Sequence, residues 1–143
     1  MLMAFGREGP KMSERNKAVI RRLIEDHWNV KNDVVLNELF APTVSLSTPD
    51  GMYTGLKGAS SLLQSYAIPF PDFQITIEEL VAEADKVVVR WTFTGTHSGP
   101  LTVAKRVKVP NCIAIYRIEA GKIAEGTMAW NKYELLRQLG VVA

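Results

Sequence analysis

The sequence predicts an α+β fold: a cone-shaped barrel made of a curved antiparallel sheet, with helices covering its concave face. Three observations lead there. Residues 85–97 are mostly β-branched or aromatic and alternate cleanly, so Val87, Val89, Trp91 and Phe93 share one strand face and Val88, Arg90, Thr92 and Thr94 share the other. Further strand-period segments lie on either side of this stretch, separated by short turn signals, which makes a meander. Helix-period segments precede the meander and close the chain instead of alternating with strands, and that segregation marks α+β.

The elements follow in order. Ser13 is a good N-cap ahead of a run free of Gly and Pro, in which Ile20, Leu23, Ile24 and His27 keep the i, i+3, i+4, i+7 spacing of one apolar helical face. Val30-Lys31-Asn32 ends that helix. Asp33 caps a second short helix over residues 34–40, stopped by Pro42. Residues 44–47 and 52–54 flank Pro49-Asp50-Gly51 and form a hairpin. A third helix spans residues 59–66 and ends before Pro69 and Pro71. Residues 73–82 alternate as a half-buried strand, and Ala84-Asp85-Lys86 is short enough to turn it antiparallel into the central one. Ser98-Gly99-Pro100 breaks the central strand. Residues 106–117 are the next strand, with Val107, Val109, Asn111, Ile113 and Ile115 expected on one face. Glu119-Ala120-Gly121-Lys122 turns into a last strand over residues 123–130, and a short helix over residues 133–139 ends at Gly140.

Composition bounds what such a domain does. The 143 residues suffice for one domain with a core, expected over residues 13–143 behind a loosely held or disordered leader of residues 1–12. Apolar residues make up 47% and charged residues 22% of the chain, and 17 basic against 15 acidic residues leave a net charge of +2. That balance points away from nucleic acid and from anionic membranes. One cysteine, Cys112, cannot form an intramolecular disulfide, and a cytoplasmic location is the default. Two histidines and one cysteine show no metal-ligand spacing.

Several residues invite functional assignment. Alternation carries Gly95 and His97 onto the apolar face of the central strand, and His97 is either an acid/base or ligand contact, or a rim histidine. His27 closes an apolar helical face, as a core residue or a catalytic one. Asn111 is either a hydrogen-bonding group in a pocket or the companion of a strand break beside Pro110, and the pocket is preferred. Trp28, Tyr53, Tyr66, Trp91, Phe93 and Trp130 could line a ring-binding cavity or simply form core. Lys105, Arg106 and Lys108 read as a solvated basic face.

Phe70-Pro71-Asp72-Phe73, Val87-Val88-Val89-Arg90-Trp91-Thr92 and Gly95-Thr96-His97-Ser98-Gly99, with Ile115-Tyr116-Arg117-Ile118, Gly121-Lys122-Ile123 and Leu135-Leu136-Arg137-Gln138-Leu139-Gly140, resemble the SnoaL-like polyketide cyclases over residues 17–140. These belong to the nuclear-transport-factor-two-like superfamily of cone-shaped α+β barrels, which holds enzymes and binding domains alike. The resemblance implies a cavity for a hydrophobic polyketide- or terpenoid-type molecule. It also implies acid/base catalysis without cofactor or metal, and a homodimer formed through the sheet. The family pattern Glu-His-Trp in the last strand, followed by an Asp after the last Trp, reads here as Glu125-Gly126-Thr127 and Trp130-Asn131. Glu125 is kept, whereas Asn131 is an amide that cannot take a proton from carbon. The candidate catalytic set is therefore His97, His27 and Asn131. Trp28, Tyr53, Tyr66, Trp91, Phe93, Asn111, Glu125 and Trp130 are the candidate ligand contacts. An acid/base cyclase or isomerase and a non-catalytic binding or interaction module both remain open. The outer sheet face, with Arg90, Thr92, Thr94, Cys112, Ala114 and Tyr116, is the expected dimer surface.

Overall fold

A computed structural model describes the backbone of residues 2–99 and 105–143, and side chains from residue 11 onward within those ranges. Helix α1 (Leu2–Leu23) runs into a π-helical turn (Ile24–Trp28), followed by a short α2 (Leu36–Leu39). Strands β1 (Phe40–Thr48) and β2 (Gly51–Thr54) form the hairpin. Helix α3 (Gly55–Ala67) leads to β3 (Gln74–Glu83), β4 (Lys86–His97), β5 (Lys105–Glu119) and β6 (Lys122–Ala129), and α4 (Lys132–Gln138) closes the chain.

The six strands form one curved sheet in the order β2-β1-β6-β5-β4-β3. The α+β class and the four-strand meander are as expected, with two refinements. The sheet is open, ending at β2 and β3. It is also mixed, because β1 lies parallel to β6 while every other pair is antiparallel. Helix α1 packs on β3 and β4, α3 on β1 and β2, and α4 on β5.

Helix α1 starts well before Ser13, which lies inside it. The side chains of residues 1–10 lie outside the described residues, and with them most of the expected leader; so does Pro100 of the expected strand break. The apolar face holds: Ile20, Leu23, Ile24 and His27 are all buried. In the π turn the Asn29 N–H reaches back five residues to the Ile24 carbonyl at 2.9 Å, and both His27 and Trp28 are buried. Asn29 then ties this turn to the sheet, accepting from the Ile75 N–H at 2.8 Å and donating to the Ile75 carbonyl at 3.0 Å.

The main correction to the sequence expectation lies in β5. Its register against β4 passes from Trp91↔Cys112 to Phe93↔Val109, so three residues of β5 span what two span in β4. This is a β-bulge at Pro110-Asn111. Pro110 has no N–H for the ladder, and Asn111 takes φ +58°, a left-handed conformation that Asn tolerates better than most residues. The bulge reverses the strand's parity. Val107 and Val109 point inward, but so do Cys112, Ala114, Tyr116 and Ile118, all buried, while Asn111, Ile113 and Ile115 are exposed. Asn111 therefore does not face the interior; its side-chain oxygen accepts from Arg90 at 3.3 Å on the outer face. Cys112, Ala114 and Tyr116 likewise leave the outer face expected of them.

The β5–β6 turn is a two-residue hairpin with φ +51° at Ala120 and +78° at Gly121. Two successive positive φ values match the right-handed twist of the flanking strands.

Candidate functional site: an apolar cavity with buried phenols

The inner sheet face and the helices bound a cavity that opens to solvent and is lined almost wholly by apolar and aromatic side chains. Strand β4 supplies Val89, Trp91 and Phe93, the pleat's inward set; β5 supplies Val109, Cys112 and Tyr116 from either side of the bulge. Ile24 and Trp28 come from the helical turn, Tyr66 from α3 and Ile75 from β3. Met128, Trp130 and Leu135 close the far side. All three tryptophans of the chain are among these residues.

The walls are held by ring packing. Tyr66 lies 5.7 Å from Trp28, 6.3 Å from Phe93 and 6.0 Å from Trp130, centroid to centroid. The Trp130 indole N–H donates to the Tyr66 hydroxyl at 3.0 Å, which satisfies the indole and leaves the phenol proton available to donate. Burial raises the Tyr66 phenol above its ordinary range. The Cys112 thiol donates weakly to the Val109 carbonyl at 3.5 Å, and burial pushes it up to about 12, so it stays protonated.

Tyr116, like Cys112, is a wall residue that sequence parity missed. It stands directly opposite Gly126 in the β5–β6 ladder. A Cβ at Gly126 would come within 2.7 Å of Tyr116 Cε1 and 2.9 Å of Leu46 Cδ2, so glycine is what lets the ring lie across β6. Burial alone raises its phenol, and among the described residues no hydrogen bond holds it. A smaller cavity, bounded by Leu46, Ala59 and Leu62 among others, adjoins the first and shares Trp28, Tyr116 and Met128 with it.

The candidates from sequence separate clearly in space. Trp28, Tyr66, Trp91, Phe93 and Trp130 come together around the cavity. His97, His27, Asn131, Tyr53, Asn111 and Glu125 are not among the residues that line it. Asn131 is the N-cap of α4: its side-chain oxygen accepts from the Glu134 N–H at 2.9 Å. Glu125 is exposed and paired with Arg117 at 2.5 Å. Tyr53 lies on β2, packed on the core edge. His97 lies on the inner side of β4 as the alternation implied; its ring meets the edge of Phe70 at 5.4 Å, and Phe70 in turn meets Phe93 at 5.3 Å.

His27 is fully buried. Its Nδ1 lies 3.0 Å from the Asn32 carbonyl, so the proton sits on Nδ1, and Nε2 is buried without a partner. Desolvation lowers its pKa and outweighs the opposing pull of Asp33, whose Oδ1 lies 3.8 Å away. The ring is neutral and packed edge-on to Phe40 at 5.7 Å.

The chain belongs to the SnoaL-like polyketide cyclase family, whose model matches residues 18–139. Solved structures share the fold. TsrD from Streptomyces laurentii is 26% identical, with 90% of this chain and 97% of that one covered at a TM-score of 0.77. IdmH, a candidate polyketide cyclase from Streptomyces antibioticus, is 24% identical over 88% and 99% of the two chains, TM-score 0.78. A SnoaL-like protein from Jannaschia sp. CCS1 is 21% identical over 91% and 94%, TM-score 0.79. Comparison with curated proteins gives no match. No helix among the described residues is long and apolar enough to cross a membrane.

Proposed function

We propose that this protein binds a hydrophobic, ring-containing small molecule of polyketide or terpenoid type in the cavity behind β4 and β5. The observation that carries this is the make-up of the wall. Its lining is apolar and aromatic, with the phenols of Tyr66 and Tyr116, the thiol of Cys112 and the indole N–H groups of Trp28, Trp91 and Trp130 as its polar side-chain groups. Such a wall removes apolar surface from water without a charge to desolvate, as small-molecule sites do.

The family's name, polyketide cyclase, supports a second reading, an acid/base cyclase or isomerase. A general base must come within hydrogen-bond reach of the proton it removes. Among the described residues no carboxylate or imidazole lines the cavity, and Asn131 is engaged as a helix cap. Binding without turnover is therefore the reading adopted, in a cytoplasmic protein. Thermal-shift screening of polyketide-like ring ketones and esters, with mass spectrometry of each mixture, tests it. Ligand-dependent stabilisation with unchanged ligand supports binding; product formation supports the enzyme; no stabilisation by any ring compound refutes both.

A second copy of the chain is the proposed partner of the outer sheet face. Val81, Val88, Ile115 and Thr127 line up in register across four strands, and Val81 and Ile115 are about half exposed, at 51% and 47%. An apolar stripe of this kind on a two-sided sheet suits an isologous contact.

A further inference from the structure

We propose that Tyr116 is the group that selects the ligand, donating a hydrogen bond to an acceptor oxygen held between two apolar halves of a neutral molecule. The proposal rests on the cavity being the binding site and goes on to say what chemistry it selects.

Three observations meet at this residue. First, Tyr116 lines both the larger and the smaller cavity, so it stands where the two adjoin. Trp28 and Met128 share that position, but neither presents a hydroxyl. Second, it is 5% exposed, no hydrogen bond holds its hydroxyl among the described residues, and that oxygen is not sealed off, so it opens to the cavity. Third, its place depends on a glycine that leaves no room for even a methyl group: the nearest approach of a Cβ at Gly126 to the ring is 2.7 Å. The sheet thus carries a bare position beneath the ring, which fixes the ring laterally and leaves its hydroxyl to the cavities.

The chemistry follows from the donor. A phenol kept protonated by burial offers one O–H to an acceptor and offers little to a carboxylate, which the apolar wall would not solvate. The fitting ligand is neutral, longer than one ring, and carries a carbonyl or ether oxygen part way along its length. Tyr66 is a competing donor, its proton equally free, but it faces only the larger cavity; the Trp28 indole N–H, which faces both, is the other.

Benzophenone and diphenylmethane test this, because they differ only in a carbonyl between two rings. Affinities are measured by nuclear magnetic resonance titration, and the ketone's carbonyl stretch by infrared difference spectroscopy. In the wild-type protein benzophenone should bind about two- to tenfold tighter than diphenylmethane, the range one hydrogen bond spans, with its carbonyl stretch lowered. Tyr116→Phe should remove the preference and the infrared shift, and the protein should still bind diphenylmethane. Gly126→Ala, which displaces the ring but keeps the hydroxyl, should also reduce the preference, and Tyr66→Phe should retain it. Equal binding of both probes to the wild type overturns the role of Tyr116 and leaves the cavity as a binding site. So does a preference that survives Tyr116→Phe or disappears in Tyr66→Phe. Failure of both probes to bind overturns the role of Tyr116 and the cavity reading together.

Discussion

Replacing Asn111 tests the feature on which the site's composition depends. Asn111 holds φ +58° at the bulge, and its side chain makes only an exposed contact to Arg90 at 3.3 Å. A β-branched residue pays most for left-handed backbone, so Asn111→Val should cost about 1–2 kcal/mol. Glycine adopts this conformation freely, so Asn111→Gly should lose only the Arg90 contact, at most about 1 kcal/mol for an exposed pair. For a domain of this size each kcal/mol moves the melting temperature by about 3–4 °C, which puts the valine variant about 3–8 °C below wild type and the glycine variant close to it. Deleting residue 111 should remove the bulge and leave both flanks facing as they do: Val109 stays opposite Phe93 and Cys112 opposite Trp91, with Pro110 alone opposite Thr92. Cys112, Ala114, Tyr116 and Ile118 then remain inward, and that variant should still unfold cooperatively. Circular-dichroism melts of the three proteins suffice. Glycine destabilising as much as valine, or a deletion variant with no cooperative unfolding, would refute the assignment of the bulge and with it the inward position of Tyr116.

Three further outcomes are expected. His27 has a lowered pKa because burial disfavours its charged form, so the unfolded chain takes up the proton first. Its contribution is intact above the unfolded value near 6.5 and is lost as pH falls from there toward the lower folded value; urea midpoints should drop as pH falls below about 6.5, and His27→Gln should flatten that part of the profile. Asn131→Ala should cost about 1 kcal/mol as a lost N-cap, read as a melting temperature about 3 °C lower, whereas Asn131→Asp keeps the cap and should yield no cyclase product by mass spectrometry. Light scattering should give a dimer mass at micromolar concentration, and Ile115→Asp should shift it to the monomer; a wild-type monomer would count against the sheet-mediated pair.

Much of the fold was legible because alternation and turn chemistry are local. The β3–β4 pairing, the inward set Val87, Val89, Trp91 and Phe93, and the Ala120-Gly121 turn all follow from period-two patterning and residues that tolerate positive φ. The site was half legible. Trp28, Tyr66, Trp91, Phe93 and Trp130 were identifiable as large rings on the apolar faces of predicted elements. Cys112 and Tyr116 were not, because unbroken alternation through Pro110 puts both on the outer face, and the bulge reverses it. A proline followed by an asparagine inside a strand was the available signal, since one cannot donate to the ladder and the other accepts left-handed backbone. Asn131 was misjudged for a different reason. Its place after Trp130 suggested the cavity, but its capping bond to Glu134 depends on where α4 begins, a boundary that fixes only with the tertiary fold.

The most direct test uses the three tryptophans, all of which line the cavity. Titration of the protein with diphenylmethane should give a saturable, one-to-one change in tryptophan emission as the ring system displaces water from beside Trp28, Trp91 and Trp130. Cys112→Phe, which places a ring inside the same space, should abolish that change in a protein that still melts cooperatively. A linear, non-saturating response in wild type, or saturable binding undiminished in folded Cys112→Phe, would contradict the claim that this cavity is where the protein works.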